Sequence, residues 1–275
     1  MQVKPSEELL PFIKHYLFLQ HKEKDTRKFR LFSDGNTGMV FSFGHNLITD
    51  KNELLLHGLP TSFLYGQPTQ FRDIYLLKET SLIIVVFQPA GLHQLTGISA
   101  DELRDKIITA DYLFGKEVST LQEKLTVVFP VINKFNLLNA FFTSWVSKRV
   151  LSNQLLTAAS LQFIIKNKGL VTMTQLVKFT GYTERHIERK FMECVGIPPK
   201  KFGNIVKLHH FLSRLKGQTC NEYLTGLAYE TGYADQSHLI KEFRKYTGVT
   251  PKNYVTKAEK LTNNFIALLP AENIY

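Results

Sequence analysis

The sequence predicts an α+β protein in two parts: a β-rich N-terminal half with flanking helices, then an all-α domain built on a repeated helix–turn–helix pattern. Three observations carry that prediction. Between 38 and 88, short β-branched and aromatic runs alternate with turn-forming residues. From about 152 the apolar spacing becomes helical, with Gly and Pro as punctuation. Finally, TGYTERHIERKFMECVGIPPKKF at 180–202 and TGYADQSHLIKEFRKYTGVTPKNY at 231–254 share one set of fixed residues about fifty positions apart.

The strands come first. GMVFSFG (38–44), TSFLYG (61–66), DIYLLK (73–78) and SLIIVVFQ (81–88) are separated by turn chemistry at 33–38, 58–61 and 67–69. Short strands at this spacing predict a cupin-like barrel or sandwich that closes near Pro89-Ala90-Gly91. Helices follow. Ser99 and Glu102 have the spacing of a capping box ahead of ELRDKI, and 118–128 and 136–150 have helical apolar spacing. The chain therefore divides into a β-rich putative sensor domain at 1–115, a helical connector or dimerisation segment at 116–152, a helical domain at 153–260 and a C-terminal tail at 261–275. In the connector, Leu121, Leu125 and Val128, and then Leu138, Phe141, Trp145 and Val146, recur at helical spacing. Packing beneath the barrel and a dimer seam both suit that pattern.

Composition excludes several classes. With 275 residues, 44% hydrophobic and 21% charged, the chain reads as an ordinary globular protein of about two domains. Its longest strongly apolar run, Leu82 to Phe87, is far short of the roughly 20 residues that span a bilayer. The opening MQVKPSEELLPF lacks a basic segment followed by an apolar one, so a cytoplasmic protein is expected. Two cysteines, Cys194 and Cys220, give neither a disulfide framework nor a zinc set. His45, His57 and His93 form no His-x-His pair, so no metal or cofactor is expected. No Ser-His-Asp or Cys-His pattern stands out, and the β-rich half has no cysteine, so no catalytic residues are assigned. Charge is more informative. Residues 151–260 hold 17 Lys and Arg against 8 Asp and Glu, whereas 1–150 hold 17 against 15. A basic excess confined to one domain is the footprint of a nucleic-acid binder, because neutralised phosphates release condensed counterions.

The two repeats align on Gly181, Tyr182, Phe191, Gly196, Pro199, Lys200 and Phe202, matched by Gly232, Tyr233, Phe243, Gly248, Pro251, Lys252 and Tyr254. In the second copy a helix ends before Gly232, where a left-handed cap is expected, and Asp235 caps its successor. Leu239, Phe243 and Tyr246 give that successor a buried stripe. In the first copy Thr172 or Thr174 caps one helix, Gly181 ends it and Thr183 caps the next, which buries Ile187, Phe191 and Cys194 or Val195. Pro199 and Pro251 suit the first position of a further helix. Apolar, Gly and Pro positions are thus shared while the outward residues differ, as two copies of one scaffold with two surfaces require.

On these motifs, residues 155–256 resemble the AraC/XylS-type DNA-binding domain, two helix-turn-helix units joined by a linker helix, here 201–216. LAYETGYADQSHLIKEFRKYTGVTPKNY is the most specific part and VGIPPKKF supports it. The resemblance implies a bacterial transcription factor whose two recognition helices enter successive major grooves of promoter DNA. It places base contacts on Arg185, Glu188 and Arg189 in the first unit and on Gln236, Ser237 and Lys241 in the second. Lys241 stands where arginine is common, which removes a bidentate fork. Phosphate contacts fall on Thr183, Lys200, Lys201, His238 and Lys252. GNTGMVFSFG and VVFQPAGLHQLTGISADELRDK resemble the sensor half of one group of such regulators. RNA polymerase, a small-molecule effector and a second copy of the chain are the further partners implied; the alternative is an N-terminal half that docks a protein.

Overall fold

A computed structural model describes residues 1–22, 27–44, 47–50, 56–76, 79–147, 155–215, 221–256 and 258–268. Residues 77–78 of the third expected strand, 148–150 of the connector, His45, the His57 side chain, Lys216 and Cys220 lie outside them.

The N-terminal part contains β1 (Gln2–Val3), β2 (Ile13–His21), β3 (Arg27–Leu31), β4 (Gly38–Gly44), β5 (Leu47–Asp50), β6 (Leu56–Gly58), β7 (Ser62–Tyr65), β8 (Arg72–Leu76) and β9 (Thr80–Phe87). Then come α1 (Gly91–Thr96), α2 (Ala100–Leu103), β10 (Ile107–Thr109), α3 (Asp111–Phe114), α4 (Lys116–Val127) and α5 (Val131–Ser147). The helical part runs through α6 (Leu155–Lys166), α7 (Met173–Thr180), α8 (Glu184–Val195), α9 (Pro199–Arg214), α10 (Asn221–Glu230), α11 (Gln236–Thr247) and α12 (Pro251–Thr256). A hairpin, β11 (Ala258–Thr262) and β12 (Phe265–Leu268), closes the described chain.

The strands form two antiparallel six-stranded sheets, ordered β1-β2-β9-β4-β7-β10 and β11-β12-β3-β8-β5-β6. They face each other across a shared apolar layer, as in a sandwich. Strand β9 explains why the sequence reads as one apolar run there. Leu82 and Ile84 face the opposite sheet, while Ile83, Val85 and Phe87 face the helices behind. A strand buried on both faces loses its polar alternation.

Helices α4 and α5 cover that rear face. Leu121, Leu125, Leu138 and Phe142 are buried with Tyr16, Met39 and Phe41. Phe141, Trp145 and Val146 pack at the edge of the same cluster. The helix expected over ELRDKI is corrected: α2 stops at Leu103 and Ser99 makes no side-chain cap bond. Asp105 has φ 58°, which breaks the turn, and Ile107–Thr109 pair instead with β7. Two adjacent β-branched isoleucines gain more from that edge than from continuing a helix.

The end of the chain departs most from the expected division. Residues 258–268, read as the close of the helical domain and the start of a tail, return to the N-terminal domain. Strand β12 pairs antiparallel with β3, setting Phe265 opposite Leu31, Ile266 opposite Arg30 and Ala267 opposite Phe29. Alternation then sends the two faces of β12 to different places. Phe265 and Ala267 join the layer between the sheets, whereas Ile266 joins the core of the helical domain. The Phe32 amide donates to the Asn264 carbonyl at 3.0 Å, and the Asn264 side chain donates to the Phe32 carbonyl at 3.1 Å. The Phe32 ring sits in the helical core beside Tyr254 and His209. One hairpin therefore ties both halves together. Among the described residues no helix is long and apolar enough to cross a membrane.

Candidate nucleic-acid interface

Local bonds cap the helices of each helix-turn-helix unit. In the first, Thr172 and Gln175 form a reciprocal capping box on α7, with amide-to-side-chain distances of 3.2 and 2.9 Å. Gly181, at φ 74°, caps the helix from the left-handed region and frees the chain to turn. The Thr183 hydroxyl then accepts from the His186 amide and starts α8. In the second unit Gly232, at φ 82°, follows α10, and Asp235 accepts from the His238 amide at 2.7 Å to start α11. Asp235→Ala is expected to cost about 1 kcal/mol of unfolding free energy, checked by urea denaturation of the full chain.

The buried stripes meet the joining helix. Ile187, Phe191, Cys194 and Val195 on α8, and Leu239, Phe243 and Tyr246 on α11, are buried. On α9, Phe202 packs its ring against Phe191 with centroids 6.2 Å apart, and Phe211 packs against Phe243 at 5.7 Å. One end of α9 thus grips the first unit and the other end the second. Its 16 residues span about 24 Å at 1.5 Å per residue. Successive major grooves on one face of DNA lie about 34 Å apart, a separation that this helix and the bodies of two units together can cover.

Arg185, Glu188 and Arg189 all lie on the exposed face of α8. Among the described residues no ion pair links Glu188 to either arginine. The Arg189 guanidinium rests 3.4 Å from the His186 ring nitrogen. On α11, Ser237 and Lys241 are exposed, but Gln236 is partly buried and accepts from the Thr225 hydroxyl at 3.1 Å. Arg244 extends the Ser237–Lys241 stripe by a further three residues and is exposed. Sequence reading missed it, although the same periodicity that marks Lys241 reaches it.

Of the expected phosphate contacts, Lys200 and Lys252 are exposed beside the starts of α9 and α12. Thr183 is exposed and spends its hydroxyl on the cap. His238 is exposed, and its Nδ1 accepts from the Ala234 amide at 3.4 Å. Lys201 sits differently: it is half-buried and turned toward the N-terminal domain, where burial pushes its amine down and Asp105 pulls it back up. The back of α8 also rests on that domain. A Cβ built on Gly196, at the end of α8, would stand 2.8 Å from the Ala100 carbonyl oxygen, so the seam is tight while the face bearing Arg185, Glu188 and Arg189 stays exposed.

Between the two sheets lies a cavity of about 360 Å³. Leu82, Ile84 and Phe63 form part of its wall. The C-terminal half of the chain lines it too, through His209 of α9 and through Leu261 and Phe265 of the hairpin. His209 donates through Nε2 to the Ser33 carbonyl at 3.0 Å, and burial lowers its pKa, which favours the neutral ring. Lys14 and Asp34, 3.7 Å apart, are among its few charged lining residues. Apolar walls with a few convergent polar groups are the usual make-up of a small-molecule site.

The geometry defines a class: a protein presenting two helices on matched scaffolds beside a cavity-bearing β domain. Residues 176–257 match the family described as a helix-turn-helix domain, and residues 1–109 match a domain of unknown function (DUF6597). An uncharacterized HTH-type transcriptional regulator of Staphylococcus aureus (strain MSSA476) is 26% identical over 94 residues, 34% of this chain and 12% of that protein. The HTH-type transcriptional activator AarP of Providencia stuartii is 26% identical over 85 residues, 30% of this chain and 61% of AarP. The matched stretch is thus a small part of the staphylococcal relative. Among solved structures, ToxT from Vibrio cholerae overlaps with a TM-score of 0.48 at 14% identity, covering 87% of this chain and 97% of ToxT. The AraC-like transcriptional activator CuxR overlaps at 0.30 and 12% identity, covering 81% of this chain and 89% of CuxR. The C-terminal domain of this chain is a helix-turn-helix domain, carried behind a β-rich domain.

Proposed function

We propose that the protein is a transcription regulator that binds double-stranded DNA sequence-specifically through both helix-turn-helix units. One observation carries this reading: two helices with matched buried stripes and different exposed faces, set apart by one joining helix whose apolar side packs against both. Arg185, Glu188 and Arg189 read one stretch of major groove, the arginines donating to guanine and the glutamate accepting from cytosine. Ser237 and Lys241, extended by Arg244, read the next, with Gln236 joining once it leaves Thr225. Lys200 and Lys252 hold phosphates at the starts of α9 and α12.

Selection of bound duplexes from a random pool tests the reading; an enriched motif supports it, and unselective recovery contradicts it. Lys200→Ala is expected to weaken all sequences alike and to lower the salt slope of log K by about one unit, measured by titration at several ionic strengths. Affinity that does not respond to salt would contradict the reading.

The cavity supports control by a small apolar or aromatic effector over the alternative of a purely protein-docking N-terminal domain. Such an effector is expected to raise the melting temperature by mass action in a thermal-shift screen. Because α9 and the hairpin both contribute to the lining, an effector there touches both domains at once.

A further inference from the structure

Sequence reading expects no metal, yet the fold gathers three donors that lie far apart in the chain. His93 is on α1 of the N-terminal domain, and Glu193 and Cys194 are on α8. One ligand-capable atom from each lies within 4.8 Å of the others. We propose that His93, Glu193 and Cys194 form a Zn2+ site that clamps the β-rich domain to the first reading helix.

Three further features support it. His93 is buried, and its Nδ1 lies 2.6 Å from the Ile98 carbonyl. A carbonyl only accepts, so Nδ1 carries the proton and the lone pair sits on Nε2, the arrangement that outer bonds impose on metal-binding histidines. Cys194 is buried and takes a hydrogen bond from the Thr157 hydroxyl at 3.6 Å. Finally, Cys194 also borders a surface depression of about 210 Å³ with Tyr182 and His186.

The donor set selects the ion. Thiolate, imidazole and carboxylate together suit zinc and are poor ligands for magnesium or calcium. Bound at about 2.0–2.3 Å from zinc, the three atoms would stand roughly 3.5 Å apart. The observed spacing therefore closes by about 1 Å on binding. Glu193 is half-exposed and held by Lys190 at 2.8 Å, so it swings in by giving up that surface pair. Burial holds the Cys194 thiol protonated in the free protein. On binding, the S–H bond breaks, its proton passes to buffer and the sulfur donates its electron pair to zinc.

The test uses the full chain and Zn2+ alone, in competition with a chromophoric chelator. The expected result is one Zn2+ per chain with release of about one proton, and a rise in melting temperature. His93→Gln, Glu193→Gln and Cys194→Ala should each weaken binding about tenfold or more. Co2+ should give a thiolate charge-transfer band that Cys194→Ala abolishes and Cys220→Ala keeps. Glu193→Gln, at a half-exposed position, guards against misfolding, since its metal-free melting temperature should match that of the parent. The absence of stoichiometric binding, or a band that survives Cys194→Ala, would overturn the proposal.

Discussion

Ile266→Ala is expected to lower the unfolding free energy of the full chain by about 2–5 kcal/mol, read from urea denaturation. Ile266 is fully buried, and it leaves the N-terminal sheet to pack in the core of the helical domain. Truncation removes about three carbons from a site with little room to collapse, because β12 is pinned by its ladder to β3 and by the Asn264–Phe32 bonds on its approach. The loss combines transfer and cavity terms. A surface truncation such as Val127→Ala, at a position 73% exposed, should change stability by no more than about 0.5 kcal/mol. An Ile266→Ala effect that small would mean the hairpin does not dock. Because α12 runs into β11 through a single residue, a loosened hairpin also loosens the second reading unit.

Arg189→Ala is expected to cost about 1–3 kcal/mol on the preferred duplex and to relax selectivity at one base position. The guanidinium lies on the exposed face of α8, one residue past Glu188, and among the described residues its one side-chain hydrogen bond is the 3.4 Å contact to His186. It therefore enters a groove with little to give up. A uniform loss across all sequences would instead make it a phosphate contact. Equilibrium binding to the selected duplex and to single-base variants separates the two outcomes.

How much of this was legible in the sequence follows from how local each signal is. Thr183, Asp235, Gly181, Gly232 and Gly248 act within a few residues of themselves, and the helix boundaries that they predict are those observed. The buried stripes of α8 and α11 followed from periodicity alone. Strands β2 and β3 were less visible, because IKHYLFLQH and RKFRL mix charged with apolar residues and carry no turn signal of their own. The hairpin was missed because its partner β3 lies more than two hundred residues away, although Thr262-Asn263-Asn264 ahead of FIAL is a local turn signal. The turn of Lys201 toward Asp105 depends on how the two domains meet, which no local pattern encodes. The same holds for the meeting of His93 with Cys194.

In the proposed reading, two differently faced helices read DNA together. Footprinting of the full chain on its selected duplex tests it most directly. Two protected blocks are expected on one face of the duplex, with centres about ten base pairs apart, and one block should be lost when Arg185 and Arg189 are both replaced by alanine. A single block, unchanged by that double substitution, would contradict it.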